Sequence, residues 1–450
     1  MTAPQTPSTA YLDNMEELIA ARVAAASPPP PMGETYPGQD ELWDKAATLA
    51  DATTDDLRHI VFDLHANPEV AFEEHRSMGV LSDFLEERGH SVERGVFGVE
   101  TAFCTEVTSP GYDPDKHPTV AIMAEYDALP GIGHACGHNV IAAAGVGAYV
   151  VASELLKNSD VPGRIVLQGT PAEEGHTGKE YMIRGGSLDG VDAAVMIHGF
   201  GYDIASHAWV GRRSATIDFH GVAAHASSQP FMGRNALDAA NLLYQGLGLM
   251  RQQLPPSDRL HAIVKKGGER PSIIPQETQV EVYARSLQTR SLLDLSQRVD
   301  EIAKGAAMMA GCGVEIHWDP HPMSLPVRNN ETLAARWART QARRGRTALP
   351  ANTVPDTVAA STDFGNVSHL VPGIHPMVKV SPTDVALHTS EFERWSATDE
   401  AVEAAVDSAA GLAQVALDFL ADEALREEAH AEFGRHGAVS VQELLHREQG

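Results

Sequence analysis

Cysteine is scarce in this chain. There are three in 450 residues, Cys104, Cys136 and Cys312, far apart in sequence. An odd, sparse set is no disulfide framework and points to a reducing, cytoplasmic setting. Basic residues are also short, 34 Lys and Arg against 61 Asp and Glu, for a formal net charge of -27. That balance speaks against nucleic acid or an anionic membrane as the main partner. The N-terminus shows no basic segment followed by an apolar one, and no apolar run is read as reaching the ~20 residues of a spanning helix, so no membrane is expected.

What is present suits two domains, since the chain is too long for one core. Residues 1–40 read as an extension: a helical pattern from Tyr11 to Ala25, then the proline-rich stretch Ser27 to Gly38, an extended linker. Residues 426–450, charged and His-rich, read as a tail or a helix. Between them strands and helices alternate, which predicts an α/β fold with a mostly parallel sheet covered by helices on both faces. Its strands are Thr119 to Ala124, Arg164 to Gln168, Ala193 to Ile197 and a weaker one, Met377 to Val380. Asn139 is placed to cap the helix after the first of these. The last helix, Asp399 to Leu420, carries Val402, Ala405, Ala409, Leu412, Ala416 and Leu420 on one stripe.

The stretch 213–321 follows a different order, β-α-β-β-α-β, the pattern of a small ferredoxin-like α+β unit. It reads as an insertion into a larger domain made of 41–212 and 322–425.

Four polar clusters directly follow apolar strands: Glu125-Tyr126-Asp127, Pro171 to Gly175, His198, and His388. In open α/β sheets ligands bind beyond the carboxyl ends of strands. Separate segments therefore bring metal-type donors to one edge. In His134 to Asn139 a thiol and an imidazole, Cys136 and His138, stand two residues apart before a helix; this donor pair suits zinc, with manganese or cobalt as alternatives. Taken alone, a buried structural cysteine beside a helix-start histidine gives the same string. Glu173 and Glu174 can divide their work, one binding metal and the other acting as a base on bound water, although an acidic turn is common. His198 and His388 carry little signal singly. Asp127 is placed to orient a ligating imidazole, or else to cap a turn. In the inserted unit, His225 sits in a Gly-rich turn and can donate to an oxyanion. Arg285 can hold a carboxylate bidentately. A loop histidine and a solvated strand-end arginine are the plain alternatives.

Together the strings HANPEVAFEEHRS, AEYDALPGIGHACGHN, PAEEGHTGK, HASSQPFMGRNAL, STDFGNVSHLVPG and ALHTSEF resemble, in this order, the metallopeptidase family of aminoacylases, glutamate carboxypeptidases and carnosine-type dipeptidases. The Cys-Gly-His form is most similar to the branch with aminobenzoyl-glutamate hydrolase and the auxin-conjugate and hippurate hydrolases. The resemblance covers residues 40 to 425. It implies two divalent metal ions, zinc or manganese, held by Cys136, His138, Glu174, His198 and His388, with Glu173 as general base and acid. It implies that His225 reaches the partner subunit's site in a homodimer, that Asn235 and Arg285 help hold the substrate carboxylate, and that the inserted unit is lid and dimer contact. The substrate would be an N-acyl amino acid or a dipeptide. The chain departs from the family pattern in three places: Glu125 replaces the usual Asp, Lys179 stands where many relatives carry Ala, and His176 is unusual. Lys179 and His176 are read as candidates to line the pocket. A non-catalytic binding relative and a deacetylase of another substrate class are the rival readings; an intact Glu173 speaks against the first.

Overall fold

Apolar runs without a polar face become central strands. The computed structural model describes residues 5–30 and 33–448. Thr119–Ala124 is buried at every position and pairs in parallel with Arg164–Gly169 and with Ala193–Val195. Ala193–Val195 pairs in parallel with Gly373–Ile374. On the other edge, Phe103–Thr108 alternates buried and open positions and runs antiparallel to Arg164–Gly169, with the short Glu93–Arg94 beyond it. The six-stranded sheet is therefore mixed, four parallel strands with an antiparallel edge of two. An antiparallel strand tolerates one wet face, which a parallel one rarely does.

Two strand assignments need correction. The strand expected over Ala193 to Ile197 ends at Val195, and His198 starts a new one, His198–Phe200. That strand pairs in parallel with Met377–Lys379 in a separate two-stranded sheet, while Gly373–Ile374 takes the place in the main sheet expected for Met377 to Val380. Pro376, between the two, has no N–H for the ladder, so the pairing breaks there.

The helices His138–Lys157 and Asp399–Ala421 form much of the interior beside this sheet and are buried nearly all round, so the single stripe expected for the second is too narrow. Both are long and apolar enough to cross a membrane by composition, with mean hydropathy of 1.6 and 1.3, contrary to the reading that no run reaches that length; 89% and 94% of these windows lie inside the protein. Asn139 is no cap. Gly137, in the left-handed region at φ +79, precedes a helix that already begins at His138. The Asn139 amide instead donates to Val61 O at 3.0 Å and Ser396 O at 2.8 Å, tying two other segments to this helix.

A second sheet is wholly antiparallel. Gly211–His220, Arg259–Lys266, Glu277–Ser286 and Gly313–Trp318 lie in the order fourth, first, third, second. Ala236–Met250 and Thr289–Ala310 pack on it, and Ile217, Phe219, Leu243, Val280 and Leu295 share a core distinct from that of the first sheet. The chain enters and leaves this unit side by side, where Arg212 and Ser324 exchange backbone hydrogen bonds of 2.8 and 3.0 Å.

The chain ends are built in rather than appended. Ala10–Ala25 is helical, and its Ile19 packs with Ile204, Trp209 and Leu349. The stretch read as a tail or a helix is helical over Glu423–Gly434 and Val441–Glu448; Ala429 joins the first core and Val441 the second.

Candidate metal and hydrolytic site

The donors come from separate segments: Cys136 and His138 at the start of a buried helix, Glu173 and Glu174 in the loop after a buried strand, His198 at the start of a short strand, and His388 in a loop. Behind Thr119–Ala124 comes Asp127, fully buried. His138 Nδ1 donates to Asp127 Oδ1 at 3.0 Å, and Glu174 N donates to Asp127 Oδ2 at 2.8 Å. One carboxylate thus fixes both the ring and the loop of two other donors and turns His138 Nε2 inward. His198 is set the same way: its Nδ1 donates to Gly199 O at 2.7 Å, leaving Nε2 3.5 Å from Cys136 Sγ.

The loop after Arg164–Gly169 is held in a costly shape. Ala172 and Thr177 have φ of +60, and His388 of +61, a region in which residues with a side chain cost about 1–3 kcal/mol each. Glu74, fully buried, anchors the turn by accepting from Ala172 N at 2.9 Å. A side chain at Gly178 would put its Cβ 1.9 Å from Pro171 O, so only glycine closes this loop. The result points Glu173 and Glu174 at the histidines. His138 Nε2 lies 3.8 Å from Glu173 Oε2 and 4.0 Å from Glu174 Oε1, and His388 Nε2 lies 3.5 Å from Glu174 Oε1.

Three overlapping donor groups follow: Cys136 with His138 and His198; Cys136 with Glu174 and His388; His138 with Glu173 and Glu174. Within each group the ligand atoms lie within 4.8 Å of one another. The buried atoms His138 Nε2, Glu174 Oε1 and Glu125 Oε2 have no hydrogen-bond partner among the described residues. Burial, then Glu125 and Glu174, push the Glu173 carboxyl well up, and burial raises Glu174 to about 7. Burial, then Glu174, raise the Cys136 thiol too. Burial works against a charge on His138, but Asp127 and Cys136 outweigh it and push its pKa well up. The cluster is a set of acids short of positive charge, and its sulfur, imidazole and carboxylate donors suit divalent metal.

The site opens into a cavity of about 780 Å³, lined on one side by Cys136, Glu173, Glu174, His198 and His388 and on another by Arg212 and Arg285 of the antiparallel sheet. Arg285 Nε is buried without a partner among the described residues. Arg212, which sequence reading did not single out, donates to Gly175 O at 3.0 Å and so ties the second sheet to the carboxylate loop.

Two expected residues are not at this cavity. His225 is exposed on the antiparallel unit, its Nδ1 accepting from Ser227 N and Ser228 N at 3.2 and 3.3 Å. Asn235 caps Ala236–Met250, accepting from Leu237 N at 2.9 Å and donating to Asp238 at 3.0 Å. Nor do Lys179 and His176 line the pocket. Lys179 is buried between Glu125 and Asp363, and His176 packs against His321, their ring centroids 4.3 Å apart, and Phe72. A buried lysine reaches for counter-charge before solvent. Sequence reading also missed Trp209 and His375, which flank the His198 ring at 5.0 and 5.6 Å; both lie in segments without a metal-type pattern.

Residues 121–415 match the family model for peptidase family M20/M25/M40. A mouse relative, Xaa-Arg dipeptidase, is 35% identical over 395 residues, covering 86% of this chain and 91% of its own. A relative from Escherichia coli K12, part of p-aminobenzoyl-glutamate hydrolase, is 32% identical over 285 residues, 59% of this chain and 58% of its own. Among solved structures, a Bacillus subtilis protein described as a dinuclear metal-binding peptidase superposes with a TM-score of 0.61 at 21% identity, over 82% of this chain and 99% of that one. At that identity the likeness bears on the fold alone. With its ordered motifs, its fold and a family match over most of its length, the chain belongs to peptidase family M20/M25/M40.

Proposed function

We propose that this protein is a metal-dependent hydrolase of the amide bond in N-acyl amino acids or dipeptides. The observation that carries the reading is the meeting of Cys136, His138, Glu174, His198 and His388 around Glu173 at one cavity. The names of the mouse and Escherichia coli relatives, a dipeptidase and a p-aminobenzoyl-glutamate hydrolase, support this substrate class. The five donors would hold two divalent ions, zinc or manganese, and the description of the Bacillus subtilis protein as dinuclear supports that number. Such ions polarise a carbonyl and lower the pKa of water toward neutrality.

The chain's own residues do the rest. Glu173, beside the ligands yet not needed by them, takes the proton of the attacking water and passes it to the departing amine. Arg285, with a free Nε at the cavity, holds the substrate carboxylate and fixes which carbonyl meets the base. The antiparallel unit acts as lid and dimer contact, and a partner copy's histidine at the position of His225 donates to the developing oxyanion. The cytoplasm, reducing and metal-buffered, suits the free Cys136 thiol.

The test is amine release from a panel of N-acyl amino acids and dipeptides, with and without chelator and with zinc, manganese or cobalt restored. Cleavage that needs both metal and an α-carboxylate is expected. Cleavage of substrates lacking that carboxylate at equal rates would favour a deacetylase, and no cleavage of any would favour a binding protein.

A further inference from the structure

The N-terminal helix Ala10–Ala25 contributes to the same cavity as the catalytic cluster. Leu12, Met15, Glu16 and Ile19 line it, positions i, i+3, i+4 and i+7, so one face of the helix looks into it. The helix is fixed in that pose by its other contacts. Ile19 is 5% exposed among Ile204, Trp209 and Val354. Arg22 donates to the carbonyls of Asn352 and Thr353, and Tyr11 Oη donates to Thr357 Oγ1 at 3.4 Å. The segment so gripped carries Val354 and Val358, which line the cavity beside the helix. Leu12, by contrast, is 46% exposed although it faces the cavity. An apolar side chain turned toward a concave space and left largely uncovered is surface that a ligand can cover.

We infer that the N-terminal helix is a wall of the substrate cavity, and that Leu12 and Met15 set a preference for substrates carrying a bulky apolar group. This rests on the hydrolase reading above and adds to it a specificity element outside the segments that carry the chemistry. Neither residue is a metal donor, so the helix acts on which substrate stays, through contact with its acyl group or its amino-acid side chain.

The experiment uses the full chain with metal bound. Two series are measured, one varying the acyl group from acetyl to benzoyl on a single amino acid, the other varying the amino-acid side chain from methyl to benzyl under a single acyl group. The readout is the ratio of kcat/KM between the largest and smallest group that the wild type cleaves. In Leu12→Ala/Met15→Ala this ratio should fall about tenfold or more in one series, through KM, while the smallest substrate keeps its rate within about twofold. Leu12→Trp, which fills space instead of opening it, should also depress the large substrate selectively. The series that responds identifies the group facing the helix. An equal loss on large and small substrates, or ratios unchanged in both series, overturns the inference. Failure of the wild type to cleave any member is a different result, and it overturns the hydrolase reading instead.

Discussion

Lys179 Nζ donates to Glu125 Oε1 and, at 2.7 Å, to Asp363 Oδ1, with all three side chains buried. Burial works against the Lys179 charge, but Asp363 and Glu125 outweigh it and hold its pKa above the usual lysine value. The ammonium in turn offsets two carboxylates beside an already acidic site: Glu125 Oε2 is 3.5 Å from His138 Nε2, and Asp363 lines the cavity. Glu125, Lys179 and Asp363 therefore form one buried, mutually compensated charge cluster beside the donors.

Lys179→Met should therefore leave two buried carboxylates without counter-charge and cost about 3–5 kcal/mol in denaturant unfolding. Adding Glu125→Gln should cost less than the sum of the single changes, with a coupling of about 1 kcal/mol or more. Additive losses would mean that the contact does not couple the two positions.

Glu173→Gln keeps the size of the side chain and removes its ability to take a proton. It should fold and keep its metal, while kcat falls by about 10²–10⁴-fold. Turnover within a few-fold of wild type would show that another group carries the proton.

The position of His225, away from its own chain's cavity, leads to a test in mixed dimers. His225→Ala and Glu173→Gln chains, each inactive alone, should regain about a quarter of wild-type activity once subunits exchange, because half of randomly paired dimers are mixed and each has one complete site. Exchange proven by labelling with no recovery would place His225 outside the partner's site.

His369 ties folding to pH away from the metal donors. Its Nε2 donates to Pro326 O at 3.0 Å, and its Nδ1 is buried without a partner among the described residues. Burial, then Arg328, push its pKa down to about 3. Unfolded, the ring takes up a proton near pH ~6.5. Between those values the unfolded chain holds the extra proton, so stability falls as pH drops from about 6.5 toward 3. His369→Gln should remove about 1.4 kcal/mol per pH unit of that slope between about pH 6 and 4. An unchanged slope in urea titrations would show that His369 is protonated in the folded chain.

Asp127 and the Glu173–Glu174 pair are legible in the sequence because they closely follow apolar strands, a pattern that survives without any knowledge of pairing, whereas His138 opens a helix, His198 begins a strand and His388 lies in a loop. The β-α-β-β-α-β order of the antiparallel unit is legible from its alternating strands. What is not legible depends on contacts across long separations. Lys179 and Glu125 are 54 residues apart, and a charged pair in the interior has no periodicity to betray it. Arg212 is, in sequence, like any strand-start arginine; only the fold brings Gly175 O within its reach. The helices at either end read as extension and tail since their buried apolar residues are few: Ile19 alone in the first, and Leu425 and Ala429 in Glu423–Gly434. Tertiary packing, and not helix amphipathicity, gives those segments their place.

The metal centre is tested most directly by elemental analysis of the purified chain beside Glu174→Ala, each reconstituted with excess zinc or manganese and then desalted. About two ions per chain are expected in the wild type. In Glu174→Ala bound metal and hydrolysis should be lost together, because Glu174 Oε1 lies 3.5 Å from His388 Nε2 and 4.0 Å from His138 Nε2. Two ions retained in Glu174→Ala, or a wild type that hydrolyses its substrate with none, would refute the assignment of these donors.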